Sequence, residues 1–171
     1  MNAHIRRLNS VSENQVQALA ELLIDCVDGG ASVSFMHPLS TEKALEYWRG
    51  VAGDVSRNER ALLIAECEAG IVGTVQLVLN QPENQPHRAD VSKMLVLRRA
   101  RRLGLGECLI RAAEQVAREC GKSLLVLDTA SDEAARLYAR LGWQRCGVVP
   151  GFALLPQGGL CDTTYFYRAL P

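Results

Sequence analysis

The feature that most constrains the fold is the stretch from Val91 to Ile110, where an apolar run leads into a basic turn and then into an amphipathic segment. This order predicts a β-strand, a tight turn and an α-helix in direct succession. The first backbone N–H groups of such a helix have no partner within the helix and carry partial positive charge. The stretch therefore predicts an anion site, suited to phosphate, at the helix N-terminus.

The spacing Arg101-x-x-Gly104-x-Gly106 narrows the kind of phosphate site. A Walker loop continues with lysine and then serine or threonine after its second glycine, whereas Glu107 follows Gly106 here. A dinucleotide-binding fingerprint has a third glycine where Leu109 stands. What remains is a short turn with room for a pyrophosphate and no magnesium ligand, which points to coenzyme A.

Composition limits the domain count and the partners of the chain. We expect one domain, residues 1–171, because this length is typical of a single domain. A domain of this size is large enough to bury about 70% of the surface that its unfolded chain exposes. The formal net charge of zero argues against a nucleic-acid-binding surface. The six cysteines form no Cys-x-x-Cys pair or metal-ligand spacing, and no apolar run has membrane-spanning length. We therefore expect a reduced cytoplasmic protein without metal or membrane contact. Its oligomeric state stays open, a homodimer being the commonest arrangement.

The apolar periodicity switches between strand and helix along the chain. Ser12 and Ser40 precede amphipathic segments, as helix N-caps do, and the turn at Glu68-Ala-Gly70 separates two apolar runs that predict a hairpin. The predicted strands are 4–9, 61–67, 71–79, 87–97, 124–127, 143–148 and 163–168. Four helices are predicted: the first starts near residue 13, the second starts near residue 41, and the third and fourth span 104–119 and 132–141. The apolar stripe predicted for the third helix consists of Cys108, Leu109, Ala112, Val116 and Cys120.

Two motifs at the expected separation resemble those of the GNAT superfamily of acetyl-CoA-dependent N-acetyltransferases. The first is Arg101-x-x-Gly104-x-Gly106 and the second is Ala134-x-x-Leu137-Tyr138-x-x-Leu141-Gly142-Trp143. The resemblance implies an α/β fold with a mixed, mostly antiparallel sheet of about seven strands, flanked by about four helices and splayed at its two central strands.

Within this superfamily the chain most resembles the tabtoxin-resistance acetyltransferases, over nearly its whole length. The matching stretches are Gly29-Gly-Ala-Ser-Val33, Phe35-Met36, Arg88-Ala-Asp-Val91, Leu127-Asp-Thr129 and Pro150-Gly151. This resemblance implies a small amine substrate, with an amino-acid-like toxin or antibiotic among the candidates.

Acetyl transfer to an amine requires a group that removes a proton, because an alkylamine is protonated at neutral pH. The resemblance assigns this role to the carboxylates Asp90 and Asp128, which would border one cleft where the central strands splay. Strand alternation predicts that Asp90 shares a face with Ser92, Met94 and Val96. The alternatives are a solvated residue near a strand start for Asp90 and a turn or capping residue for Asp128.

Tyr138 is the predicted general acid for the departing thiolate, with core packing on an apolar helix face as the alternative. The resemblance also implies that backbone groups of Leu95, Val96 and Leu97 bind the pantetheine amides and polarise the thioester carbonyl. Ser131 stands where many members carry asparagine, so it either binds the cofactor or caps the following helix.

The remaining predictions concern the turn that would bind the cofactor phosphates and the pocket that would bind the acceptor. The predicted phosphate-binding residues are Arg101, Arg102, Leu103, Gly104, Leu105 and Gly106. Arginine forks suit phosphate oxygens, although a solvated turn or a nucleic-acid contact would also place arginines here. Loops 29–38 and 150–160 are predicted to form the acceptor pocket, with Ser34, Phe35 and Phe152 as substrate-binding residues.

The sequence therefore predicts an acetyl-CoA-dependent N-acetyltransferase that acts on a small amine by direct transfer in a ternary complex. Two alternatives stay open: a catalytically silent acyl-CoA-binding sensor, and an N-acetyltransferase whose acceptor is a peptide or protein.

Overall fold

The computed structural model describes residues 3–171. The strands are β1 (His4–Leu8), β2 (Arg60–Cys67), β3 (Gly70–Val78), β4 (Arg88–Val96), β5 (Leu124–Thr129), β6 (Gln144–Leu154) and β7 (Leu160–Ala169). The helices are α1 (Glu13–Asp28), α2 (Thr41–Ser56), α3 (Leu105–Glu119) and α4 (Asp132–Arg140), with one short 3₁₀ turn at Arg98–Ala100. Within the described residues, no helix is long and apolar enough to cross a membrane.

The strands form one sheet in the order β1-β2-β3-β4-β5-β7-β6. Every neighbouring pair is antiparallel except β4 and β5, which are parallel. Four helices flank this sheet, so the predicted mixed α/β fold is confirmed.

Each face of the sheet is covered by its own hydrophobic cluster. The residues of β2 alternate between the two clusters, since Leu63 packs with α3 whereas Leu62 and Ile64 pack with α1 and α2. Trp48 of α2 is fully buried in the second cluster. The alternation in β2 is therefore what allows one strand to hold helices on both sides.

The parallel pair β4 and β5 separates soon after it begins. Pairing joins residues 88–90 of β4 to residues 124–126 of β5 and goes no further. Beyond this point β4 continues beside β3, and β5 continues beside β7. The predicted splay of the two central strands is present and opens a gap in the middle of the sheet.

A β-bulge interrupts β4 in the part that borders this gap. Ser92 pairs with Gln76 and Leu95 pairs with Thr74, so β4 contains one residue more than β3 in this interval. Lys93, inside the bulge, has φ of 48°.

The bulge makes the predicted alternation of β4 wrong. Val91 belongs to the cluster under α3, whereas Leu95, four residues later, belongs to the cluster under α1 and α2. Met94 and Val96 consequently pack against the α3 side. They do not share a face with Asp90, because the extra residue reverses the order of the side chains.

Strand β6 is longer than the predicted strand 143–148 and passes through Pro150. It lies at the edge of the sheet, where a residue without an N–H group is tolerated. A register shift between Val149 and Ala153 accommodates this segment.

The buried stripe of α3 differs from the predicted one at Cys108, which is exposed. The residues that face the core are instead Leu105, Leu109, Ile110, Ala113, Glu114, Val116 and Ala117. The carboxylate of Glu114 is buried on this face, and its Oε1 accepts a hydrogen bond of 2.9 Å from Trp143 Nε1 that offsets the loss of water. The face of α3 that packs on the sheet is therefore rotated from the face predicted by the apolar residues alone.

Replacing Leu109 with alanine tests the packing of α3 on the sheet. Leu109 is 0% exposed, so Leu109→Ala should lower the free energy of unfolding by about 2–5 kcal/mol. The control is Leu103→Ala, at a leucine that is 51% exposed, which should change that free energy by less than about 0.5 kcal/mol. Urea unfolding curves measure both; equal effects would contradict this packing.

Candidate active site

The gap between β4 and β5 forms part of a cavity of about 880 Å³. Its walls are residues 29–34, residues 91–96 of β4, the turn into α3, the end of β5 with the start of α4, and parts of β6 and β7. This volume is typical of pockets that bind a cofactor or a small molecule.

The turn into α3 presents backbone N–H groups to this cavity. Gly104 is the N-cap residue, has φ of 80°, and supplies no side-chain hydrogen bond to the helix. Gly104, Leu105 and Gly106 all line the cavity. The first N–H groups of α3 are therefore free of a side-chain cap and are suited to bind phosphate oxygens.

Gly106 permits a close approach between α3 and α4. A Cβ at this position would lie 3.1 Å from Leu137 Cδ2 and 3.8 Å from Met94 Sδ. A side chain at this position would require the Leu137 side chain to move, at the place where α3 and α4 both border the cavity.

Two of the arginines in the basic turn face the cavity. Arg101 and Arg102 line it, and Arg101 Nε donates to the carbonyl oxygen of Val96 at 3.3 Å. Arg98 instead forms an ion pair with Asp25, with 2.9 Å between its Nε and Oδ1. Leu103, predicted to bind the cofactor, is exposed and does not line the cavity.

The three predicted backbone positions at the end of β4 differ in what they can offer. Leu95 and Val96 line the cavity, whereas Leu97 does not. The N–H group of Leu97 already donates to the carbonyl oxygen of Val72 at 2.9 Å. The geometry therefore favours Leu95 and Val96 over Leu97 for contact with a bound molecule.

Asp128 lies on the cavity at the end of β5. Its Oδ2 accepts a hydrogen bond of 2.7 Å from the hydroxyl of Thr163, which is 3% exposed and lies on β7. Among residues 3–171, no cationic group lies within 4.0 Å of this carboxylate. Asp128 is therefore a positioned carboxylate that can receive a cation or a proton. Sequence reasoning did not find Thr163, because β7 follows far along the chain.

Asp90 does not line the cavity and is paired within the protein. It lies where β4 still pairs with Val126 of β5. Its carboxylate forms an ion pair with Arg88 and accepts a hydrogen bond of 3.1 Å from Gln81 Nε2. The structure thus brings Asp128 to the cavity and leaves Asp90 beside it.

The charges of Asp128 and Asp90 nevertheless both affect the pKa of one tyrosine, Tyr165. Burial, the charge of Asp128 and then the charge of Asp90 raise the pKa of Tyr165, which faces Asp128 across the β5–β7 pair.

Tyr138 is buried at the end of α4 and also lines the cavity. Its ring packs against those of Trp143 and Phe166, with centroids 5.7 Å and 5.8 Å away. Burial and, secondarily, the negative charge of Asp128 raise the pKa of Tyr138 far above its ordinary value. The phenol therefore keeps its proton at neutral pH. Tyr138 therefore packs in the core and also forms part of the cavity wall.

Ser131 combines two positions that the sequence left as alternatives. Its Oγ accepts a hydrogen bond of 3.2 Å from the backbone N–H of Ala134, so it is the N-cap of α4. It also lines the cavity. The capping role is confirmed, and contact with a cofactor stays a prediction.

The two predicted acceptor loops contact each other. The backbone N–H of His37 donates to the carbonyl oxygen of Pro156 at 2.9 Å, and Ser32 Oγ donates to the carbonyl oxygen of Leu154 at 3.3 Å. Ser34 and Phe152 line the cavity. Phe35 does not; its ring packs edge-on against Tyr47, with 5.3 Å between centroids.

Comparison with known proteins places this geometry in a family. The model of the acetyltransferase (GNAT) family matches residues 17–143. A protein of Azospirillum brasilense, described as an uncharacterized N-acetyltransferase in the hisH-hisA intergenic region, is 29% identical over 126 residues, which cover 72% of this chain and 73% of that protein.

Solved structures show the same fold at low sequence identity. A ribosomal-protein-alanine N-acetyltransferase from Brucella melitensis has a TM-score of 0.82 at 23% identity, covering 98% of this chain and 99% of that one. A phosphinothricin acetyltransferase from Sinorhizobium meliloti, in complex with acetyl-CoA, has a TM-score of 0.80 at 18% identity, covering 99% of this chain and 89% of that one. The finer resemblance to the tabtoxin-resistance acetyltransferases stays a prediction.

The family match spans most of the chain and includes the turn into α3, α4 and Tyr138. On this basis the protein belongs to the GNAT family of acetyltransferases and is an acyltransferase.

Proposed function

We propose that this protein transfers an acetyl group from acetyl-CoA to the amine of a small amino-acid-like molecule, by direct transfer in a ternary complex. One observation carries the proposal: the uncapped N-terminus of α3, the carboxylate of Asp128 and the ring of Tyr138 all line a single cavity. A phosphate site, a base and a proton donor are the parts that the reaction needs.

The residues at the turn into α3 suit the phosphates of coenzyme A. The N–H groups at Gly104 to Gly106 would donate hydrogen bonds to the pyrophosphate oxygens, and the guanidinium groups of Arg101 and Arg102 would add charge-assisted hydrogen bonds. When bound, acetyl-CoA supplies the thioester whose acetyl group is transferred. No His, Cys, Asp or Glu cluster suited to a metal occurs in residues 3–171, and the proposal uses none.

Asp128 is the proposed base. The hydroxyl of Thr163 donates a hydrogen bond of 2.7 Å to Oδ2, which fixes the position of the carboxylate. An acceptor ammonium beside this carboxylate would lose a proton to it, directly or through water. The amine nitrogen then attacks the thioester carbonyl carbon and loses its second proton to solvent, the carbon–sulfur bond breaks, and the thiolate of coenzyme A leaves.

Tyr138 is the proposed proton donor to that thiolate. Its raised pKa keeps the phenol neutral, so the proton is present when the thiolate forms. The raised pKa also makes the phenol a weaker acid than a free thiol, so the transfer requires a thiolate made strongly basic by the same buried surroundings.

Two hydrogen bonds join the predicted acceptor loops, from residues 32 and 37 of the first to residues 154 and 156 of the second. We infer that loops joined in this way favour a small acceptor over a peptide.

An acceptor screen with acetyl-CoA tests the proposal. The acceptors are small amines, amino acids, tabtoxin-type β-lactam amino acids and short peptides, and the readout is release of the coenzyme A thiol. We expect small amino-acid-like amines to be the best acceptors. Better turnover of peptides would favour protein acetylation instead, and acetyl-CoA binding without thiol release would favour a silent sensor.

Asp128→Asn removes the proposed base with little change in shape. Because general base catalysis contributes about a hundredfold or more, we expect kcat/KM for the best acceptor to fall by about that factor. The dissociation constant of acetyl-CoA, measured by calorimetry, should stay the same. Unchanged turnover would remove Asp128 as the base.

The matched comparison is Asp90→Asn, at the second predicted carboxylate. Arg88 and Gln81 already hold Asp90 outside the cavity lining, so we expect a smaller loss of kcat/KM than at Asp128. A larger loss at Asp90 would make Asp90 the base.

Tyr138→Phe removes one hydroxyl and keeps the ring that packs on Trp143 and Phe166. We expect kcat to fall by about a hundredfold while the melting temperature stays the same. Because the pKa of Tyr138 is raised, the wild-type rate should not fall through ionisation of this phenol below about pH 10. An alkaline limb near neutral pH that disappears in Tyr138→Phe would contradict this assignment.

A further inference from the structure

Lys93 lies in the bulge of β4 and lines the acceptor side of the cavity. Its φ of 48° is uncommon for a residue with a side chain. In an unbulged strand it would follow Val91 onto the α3 side. The bulge instead directs its side chain toward the loop after α1 and toward α2, where it contacts Ser34, Phe35 and Tyr47.

Three neighbours hold the ammonium group of Lys93. Its Nζ lies 3.2 Å from the Oγ of Ser34 and 6.0 Å and 5.6 Å from the ring centroids of Phe35 and Tyr47. Aromatic faces attract a cation at such distances. The hydroxyl of Tyr47 is in turn 3.3 Å from the Oε1 of Gln76, so this surrounding is itself fixed.

The ammonium group has no counter-ion. Within residues 3–171, no carboxylate lies within 4.0 Å of it. Burial, and then the positive charge of Arg60, lower the pKa of Lys93, while the more distant charge of Asp128 raises it. A cation that is partly removed from water and unpaired favours an anion in the cavity.

An anion bound by Lys93 would lie away from the place proposed for the phosphates of coenzyme A. Lys93 precedes the last residue of β4 by three positions, roughly 10 Å of strand, and the phosphate-binding turn follows that end. Its ammonium group contacts Ser34 and Phe35 of the predicted acceptor loop, and not the turn.

We propose that Lys93 binds an acid group of the acceptor, so that the preferred acceptors are amino acids with a free carboxylate or a similar anion. This inference rests on the proposed function, because it assigns the second polar contact in the same acceptor site. The acceptor ammonium faces Asp128, and its acid group faces Lys93. The charge pattern of the cavity thus matches a zwitterion.

Pairs of acceptors that differ in one carboxylate test this inference. The pairs are phenylalanine with phenethylamine, histidine with histamine and leucine with isoamylamine, together with the decarboxylated form of any better acceptor found. For the wild-type protein we expect kcat/KM to be at least about tenfold higher for the amino acid in each pair. Equal values for the two members would overturn the inference while leaving acetyl transfer intact.

Lys93→Met and Lys93→Arg separate charge from packing. Lys93→Met should lower kcat/KM for the amino acids by about 10- to 100-fold, mainly by raising KM, and should bring each pair close to equality. Lys93→Arg should keep the preference, because it retains a cation. An equal loss for both members, or a weaker affinity for acetyl-CoA, would show a structural or donor-binding role and overturn the inference.

Lys43→Met is the matched control. The Nζ of Lys43 also lies 6.0 Å from the Phe35 ring centroid, but Lys43 does not line the cavity. We expect this variant to keep the wild-type preference.

Equilibrium binding distinguishes failure of this inference from failure of the proposed function. Calorimetry of the same amino acids with protein saturated with coenzyme A needs no turnover. Affinity that is lost in Lys93→Met and kept in Lys93→Arg supports the anion site even if no acceptor is acetylated. Amino-acid affinity that is the same in wild type and Lys93→Met overturns it.

Discussion

The site depends on one constraint, which is that the parallel pairing of β4 and β5 stops after three residues of each strand. Past Asp90 and Val126 the two strands keep their outer partners, β3 and β7, but lose each other. Continued pairing would satisfy the backbone and fill the gap with sheet. Its absence leaves Asp128 of β5 and the last residues of β4 facing a cavity, with α3 and α4 at its margin.

The order of elements could be predicted because each depends on local pattern. Capping serines, the Gly70 turn, the apolar periodicity and the glycine-containing turn before α3 are all visible in the sequence. The bulge could not be predicted. Val91, Lys93 and Leu95 read as ordinary alternation, and only pairing with β3 reveals the extra residue. The faces of Met94 and Val96 were therefore predicted incorrectly.

The parts of the candidate site that a local motif determines could be predicted from the sequence. The hydrogen-bond partners that come from distant parts of the chain could not. Tyr138 and the turn at Gly104 to Gly106 meet at the cavity as their motifs indicate. The sequence could not rank Asp90 against Asp128, because their surroundings differ through distant residues. Gln81 precedes Asp90 in a loop, while Thr163 reaches Asp128 from β7. Electrostatic roles of this kind require the assembled sheet.

The missing cap of α3 links binding to folding. A helix whose N-cap residue is glycine leaves its first N–H groups without side-chain acceptors, and Gly104 also holds a left-handed conformation. A phosphate bound there would supply the acceptors that the chain omits and would stabilise the folded state by mass action. If the proposed donor site is at this turn, the local stability of the first turn of α3 would follow the concentration of acetyl-CoA, and protection of its backbone amides from hydrogen exchange would rise with occupancy.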